Sequence, residues 1–304
     1  MKKIFKYLSI TCFASLMLYS CRMHTTNDTD FTVTKHSTSF ERGKNLVYNI
    51  CADCHYNRKT EKFTGNQMKD FPPMLGKLYS ANLTDSKEYG VIAHYTDAEL
   101  CYLLKTGIKK DGGYAPYMLR PTLADGDIND IIVYLRSGDD AVSDGDEVAG
   151  HTHVNLLGRI GVKAVVKPIK YQGSVPMPEE DNPVAYGEYL VANIGCYHCH
   201  SKSATHLNYV HPEDTKGYMA GGSKFKNEHG KHILSPNLTP DMETGIGKYT
   251  QEGFRKALQE GISMDDDALQ APMPKFKHLT NKQADAIYAY IMQLPAKHHL
   301  IKGQ

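Results

Sequence analysis

Three things are scarce in this chain of 304 residues: apolar runs long enough to cross a bilayer, an excess of charge of either sign, and segments alternating as half-buried strands do. The first scarcity argues against a membrane-spanning protein, since the one apolar run near the N-terminus, Leu8 to Tyr19, is too short for a good span. The second leaves no basic tract suited to nucleic acid: 35 Lys+Arg stand against 34 Asp+Glu, a formal charge of +1. The third argues for helices. Bulk composition, 41% hydrophobic and 23% charged, is that of an ordinary globular chain long enough for two domains.

The N-terminus is set aside before any reasoning about the fold. Lys2, Lys3 and Lys6 precede the apolar run in the manner of an export signal. The run closes on Leu18-Tyr19-Ser20-Cys21, which resembles the lipobox of bacterial lipoproteins. That resemblance implies cleavage after residue 20, acylation of Cys21, and a mature protein held at the membrane by several acyl chains, since one chain binds only marginally. Removing residues 1–20 takes away three lysines and no acid, leaving 32 Lys+Arg against 34 Asp+Glu. A lipid-anchored, periplasm-facing location in the cell envelope is therefore expected.

Cysteine use is more specific. Of seven cysteines, Cys12 leaves with the signal, Cys21 is the lipid site, and Cys101 stands alone among leucines as a small buried hydrophobe or a thiol. The other four form Cys51-Ala52-Asp53-Cys54-His55 and Cys196-Tyr197-His198-Cys199-His200. C-x-x-C-H is the attachment site of haem c: two thiols add to the porphyrin vinyl groups and the adjacent His becomes the proximal iron ligand. Competing readings fit less well. A thioredoxin-like pair needs a strand-helix-strand setting, a zinc site made from both motifs would pool six ligands where four are usual, and structural disulfides leave both histidines unused.

An internal repeat organises the chain. Gly43 and Leu46 precede the first motif as Gly187 and Leu190 precede the second; downstream, Asn82-Leu83-Thr84 matches Asn237-Leu238-Thr239, Tyr95-Thr96 matches Tyr249-Thr250, and Gly107-Ile108 matches Gly261-Ile262. The offset grows from 144 to 155 and 154 residues, which predicts about ten extra residues after the second motif, in a loop around Asn208 to Asn227. Each half reads as three helices: one over Glu41 to Ile50, one opened by a capping box at Thr96–Glu99, one carrying Ile128, Ile131, Ile132 and Leu135, and in the second half one capped at Thr280–Gln283 and stopping at Pro295. The expected fold is all-α: a tether over 21–39, two tandem domains over 40–137 and 183–297, and a linker over 138–182. In that linker Val162 to Val166 reads equally as a strand or a helical turn. So few helices cannot bury a core around long loops unaided, and a large apolar cofactor in each domain would complete it.

The repeat also selects candidates for the sixth iron ligand among twelve Met and fifteen His. Asn82 to Met118 and Asn237 to Met273 both span 36 residues, and both Met residues follow an Ala-Pro pair. The competing reading of each Met is core filler, and Leu119 in place of Pro274 weakens the match in the first half. Asn82 and Asn237 read either as hydrogen-bond partners of the haem surroundings or as turn residues. His198 reads as exposed or as a tuning group, and His151 and His153 matter only if they reach an iron.

These motifs support a family. Gly-x-x-Leu before C-x-x-C-H, then Ser235-Pro236-Asn237-Leu238-Thr239-Pro240-Asp241, Glu243-Thr244-Gly245-Ile246-Gly247 and Ala271-Pro272-Met273-Pro274, resembles the cytochrome c domains in cytochrome subunits of membrane-bound alcohol and aldehyde dehydrogenases, and the dihaem c-type lipoprotein cytochromes of Bacteroidota. The likeness covers Phe40 to Ser137 and Pro183 to Leu294; Tyr95 and Tyr249 stand where the family often has Trp, a residue this chain lacks. The resemblance implies two haem c groups, iron ligated by His55 with Met118 and by His200 with Met273, and electron transfer between a redox donor and acceptor, such as a membrane dehydrogenase or terminal oxidase. Two alternatives stay open: a dihaem enzyme of the peroxidase or thiosulfate-oxidising type, and a fixed cytochrome subunit of a dehydrogenase or oxidase complex.

Overall fold

Helices begin where the sequence supplies caps. In the computed structural model, which describes residues 30–301 except 70, 148, 166, 205 and 228, Thr96 accepts a hydrogen bond from the Glu99 N–H while the Glu99 carboxylate accepts from the Thr96 N–H. This reciprocal cap opens helix Asp97–Thr106, which closes on Gly107 at φ 75°. The second half repeats the device: Thr250 caps Gln251–Glu260, Gly261 closes it at φ 71°, and Thr280 and Gln283 form the capping box of Asn281–Ile291. The last helix ends short of Pro295 because 3₁₀-type bonds, Gln293 N–H to Tyr290 O and Leu294 N–H to Ile291 O, take over its final carbonyls. The segment expected to be a signal peptide, and Cys21, lie outside the described residues.

In chain order the helices are α1 (Ser39–Ile50), α2 (Ala52–His55), α3 (Asp97–Thr106), α4 (Asp125–Leu135), α5 (Leu156–Val165), α6 (Pro183–Leu190), α7 (Cys196–His200), α8 (Gln251–Glu260) and α9 (Asn281–Ile291). The two halves share one packing motif. α1 crosses α4 so closely that a Cβ on Gly43 would lie 2.0 Å from the Asp130 carbonyl oxygen, and α6 crosses α9 so closely that one on Gly187 would lie 1.9 Å from that of Ala286. These are the glycines that the repeat singles out. Around the crossings lie Leu46, Val47, Ile128 and Ile132 in the first half and Leu190, Val191, Ala284 and Ile287 in the second, all buried.

The structure is mostly helical, with two short antiparallel ladders: β1 (Gly76–Lys77) on β2 (His153–Val154), and β3 (Lys224–Lys226) on β4 (His232–Leu234). Strands of two or three residues leave no alternation to read, which is why the sequence signals none. The extra residues of the second half fall between His200 and Gly221: the Gly221 N–H reaches the His200 carbonyl as the Gly65 N–H reaches that of His55, across a longer interval. Residues after α4 pack back on the first half as those after α9 pack on the second. Asn82 donates to the Glu147 carbonyl, and Asn237 to that of Lys297. Val162 to Val165 belong to α5, so of the two readings of that run the helical one holds.

Candidate functional site

Each C-x-x-C-H motif sits where a long helix breaks. α1 ends at Ile50, Cys51 turns the chain, and the His55 N–H closes onto the Cys51 carbonyl at 2.9 Å. Ser80 and Asn66 hold the turn by donating to the Cys54 carbonyl at 2.6 and 3.3 Å. In the second half α6 passes through a wider π turn, Val191–Gly195, and Gly195 at φ 89° redirects the chain into α7. Both histidines are buried and fixed by one contact of the same kind: Nδ1 of His55 lies 2.8 Å from the Ala81 carbonyl, and Nδ1 of His200 lies 3.0 Å from that of Pro236. With Nδ1 donating to a carbonyl, Nε2 is the nitrogen left for a metal. Burial lowers the pKa of both rings and keeps them neutral, as a ligand must be.

Around the cysteines the chemistry is equally clear. Burial pushes the Cys51 thiol up to about 12 in spite of Arg120 nearby, and the Cys196 thiol up to about 12 as well. Redox-active C-x-x-C pairs work through a lowered thiol pKa, so this setting speaks against that use. Cys54 is half-buried and Cys199 exposed. Cys101 is buried in the core, its thiol likewise pushed up to about 12, and behaves as a small hydrophobe. His151 and His153 are both exposed, the latter on β2 opposite Lys77.

Asn82 and Asn237 resolve as turn residues. The Asn82 side-chain oxygen accepts from the Thr84 N–H and hydroxyl at 2.8 and 2.7 Å, and Asn237 does the same with Thr239 at 2.9 and 2.8 Å. Each asparagine thereby fixes the turn whose preceding carbonyl orients the histidine.

Met118 and Met273 occupy matching turns. The chain leaves the α3 cap with Ala115 N–H bonded to Gly107 O, turns at Met118 with its N–H on Ala115 O, and returns with Arg120 N–H on Leu104 O. The counterparts are Leu269 on Gly261, Met273 on Gln270, and Phe276 on Leu258. One residue more separates Met273 from its return contact. Met273 packs against the core, and Met118 is half-buried at the end of a 3₁₀ turn, Pro116–Met118.

No motif announces the groups between the two attachment sites. Arg120 donates from Nη1 to the carbonyls of Leu119 and Tyr117, on either side of Met118, at 2.7 and 3.4 Å; its Nε donates to the Asn193 carbonyl at 2.8 Å. Thr122 donates to the Asn193 side chain at 3.1 Å. The Met118 turn is thus clamped to the segment that leads into Cys196. His198 is half-buried rather than exposed, between Tyr197 and Tyr209, and removal from water, with Arg120 nearby, lowers its pKa to about 3. A lone arginine two residues beyond a candidate ligand belongs to no motif, so only the folded chain reveals this arrangement.

No protein-family model matches the chain. Among curated proteins it is 25% identical over 311 residues to the fructose dehydrogenase cytochrome subunit of Gluconobacter japonicus, covering 97% of this chain and 61% of that one. It is 24% identical over 258 residues to the cytochrome c subunit of the quinone alcohol dehydrogenase of Gluconacetobacter polyoxogenes, covering 81% and 53%. A shorter stretch of 139 residues is 37% identical to the corresponding subunit of Gluconobacter oxydans (strain 621H), covering 45% and 26%. These relatives are cytochrome subunits of dehydrogenases. The chain spans about three fifths of the length of the first of these relatives and less of the others.

Compared with what a cytochrome c site needs, the donor set fits. Each motif offers two cysteines and a neutral, oriented histidine, with a thioether in the matching turn. Two further groups fit too: Tyr114 Oη and His198 Nε2 are buried with no hydrogen-bond partner among the described residues. A buried polar group left so costs about 1–3 kcal/mol, a cost that a neighbouring group with acceptor oxygens, as a haem's propionates are, would remove.

Proposed function

We propose that this chain is a dihaem c-type cytochrome: two tandem cytochrome c domains, over 40–137 and 183–297, that pass electrons between redox partners of the cell envelope. The observation that carries the reading is the duplicated histidine geometry, two buried C-x-x-C-H histidines each held through Nδ1 by the carbonyl preceding an Asn-Leu-Thr turn. Haem iron supplies the one-electron chemistry. Cys51 and Cys54, and Cys196 and Cys199, would hold the two groups by thioether bonds. His55 with Met118, and His200 with Met273, would supply the protein ligands of the two irons. An iron holding two protein ligands would favour electron transfer over peroxidase-type catalysis, which needs an open coordination site.

The relatives support a second level of organisation, since all three are named as subunits. A membrane dehydrogenase is the donor we assign, with a respiratory acceptor downstream. Anchoring would be through lipid on Cys21; among the described residues no helix is long and apolar enough to cross a membrane. Intact mass and a pyridine haemochrome assay of protein made with a haem-ligation system test the central claim. Two covalent haems per chain are expected, and an apo mass would overturn it. Release of protein by Cys21→Ala, or its accumulation as uncleaved precursor, tests the anchor.

A further inference from the structure

The described chain leaves nine large hydrophobic side chains exposed, and four of them gather at one place: Met74, Leu156, Leu157 and Ile160, with 82%, 72%, 72% and 59% of their surface in water. The last three project from α5. That helix is seated through its small residue, Gly158, where a Cβ would lie 2.6 Å from the Val154 side chain and 2.8 Å from the Leu75 carbonyl. Asn155 locks its start, donating to the Met74 carbonyl at 2.9 Å and accepting from the Gly158 N–H at 2.9 Å. α5 therefore turns its glycine to the protein and its leucines to the solvent, the reverse of a helix that serves the core.

Charge along the segment that carries α5 is one-sided. From residue 148 to residue 178 the sequence contains Arg159, Lys163, Lys167 and Lys170 and no acid, in a chain that is otherwise balanced. Arg159, Lys167 and Lys170 are exposed, as is Lys77 on the ladder beside the helix.

We propose that α5 and its basic flank form a docking face for the surface of an anionic lipid bilayer, with Leu156, Leu157, Ile160 and Met74 entering the boundary between headgroups and acyl chains and the cations pairing with lipid phosphates. The inference rests on the envelope reading above and deepens it. An exposed aliphatic face bordered by Lys and Arg is the signature of a helix lying in a membrane interface. A protein partner is the poorer fit: binding hot spots favour Trp, Tyr and Arg and under-represent Leu, and no aromatic residue stands in the α5 face. The described chain begins nine residues after Cys21, so acyl chains on that residue would keep its first residue within ~30 Å of the bilayer. At such effective concentration a weak face suffices to orient the protein.

The test uses haem-loaded protein with Cys21→Ser, exported by a cleavable leader so that it carries no acyl chain. It should float with vesicles of phosphatidylethanolamine and phosphatidylglycerol and not with phosphatidylcholine alone. Leu156→Asp with Ile160→Asp should weaken flotation by about tenfold or more. Arg159→Gln with Lys167→Gln should weaken it and flatten its salt dependence. All four substituted side chains are exposed, and an unchanged haem spectrum verifies the fold. No flotation with the anionic vesicles, or flotation indifferent to these variants, overturns the proposal, as does loss of co-purifying dehydrogenase with flotation intact. If the wild type and Cys21→Ser distribute alike in cells, the lipid anchor fails instead, whatever the vesicles show.

Discussion

One hydrogen bond orients each C-x-x-C-H histidine, and each proposed methionine ligand sits in one turn. A thioether ligand favours ferrous iron, so Met273→Ala should abolish the weak near-infrared sulfur-to-iron band of one haem and lower its midpoint on the order of 100 mV, a fraction of the roughly 0.8 V span that axial ligands command. Met118→Ala should do the same to the other haem. A wild-type protein without that band, or one whose peroxide turnover ignores both substitutions, would give the site to the enzyme reading. Arg120 yields a separate prediction. Its charge lies near Cys51 and its fork holds the carbonyls on both sides of Met118, so Arg120→Gln should lower the first midpoint and weaken that haem's sulfur band while Met273 keeps its own. Arg120→Lys restores the charge without the planar fork, and should recover the midpoint in part but not the band. Equal effects of Gln and Lys on the midpoint would show that the charge of Arg120 does not set it, and no effect of either on both quantities would show that Arg120 acts on neither.

At the scale of elements, the helix crossings carry the most exposed liability. With the Ala286 carbonyl 1.9 Å from where a Cβ would sit, Gly187→Ala must drive α6 off α9. A cost of about 1–3 kcal/mol or more is expected, read as a fall in denaturant midpoint; a neutral substitution would mean that the helices are not in backbone contact. This glycine is legible in the sequence alone, because it recurs with Gly43 in the repeat. So are the caps at Thr96 and Thr280, since capping boxes are written in four consecutive residues. The features that escape are those made by backbone atoms from distant segments. The ladder of Gly76–Lys77 on His153–Val154 joins residues some eighty apart without any side-chain pattern, and the return of Glu147 to Asn82 closes a loop whose only sequence signal is acidity. The motifs and the matched Met turns can be read from spacing, whereas the Arg120 clamp depends on how the halves meet.

The halves meet where Leu46, Asn49 and Ile50 of α1 line the same gap as their repeat partners Leu190, Asn193 and Ile194. Tyr48 stacks on His278 at 4.0 Å across it, and Asn45 pairs with the Gln283 amide. Ion pairs hold the first half together and, at Glu180, tie it to the second. Burial pushes the carboxyls of Asp125, Asp139 and Glu180 up, but Lys105, Lys44 and Arg42 with Lys282, respectively, outweigh it and hold each below the usual carboxylate range. The unfolded chain therefore binds more protons than the folded one in that range, and stability present above pH about 4 should be lost as pH falls toward the lower folded values. A denaturation midpoint flat from neutral pH to below that point would contradict it. Arg42 is the centre of this join. Its Nε lies 2.7 Å from Asp127 and Nη1 lies 2.6 Å from Glu180, while Tyr189, from the other half, donates to Asp127 at 2.6 Å and accepts from the Ala124 N–H. The Asp127 side chain is fully buried, so Arg42→Ala would strand a carboxylate with one hydroxyl for company, at a cost of about 3 kcal/mol or more. Asp127→Asn in the same background should recover much of that loss, because it removes the stranded charge while keeping an acceptor for Tyr189. The loss should also fall on the joint between halves, so hydrogen exchange at α4 and α6 should rise before exchange at α8. Recovery by Asn with that order of opening is the expected result; a loss that Asp127→Asn leaves untouched would show that Arg42 serves by packing alone.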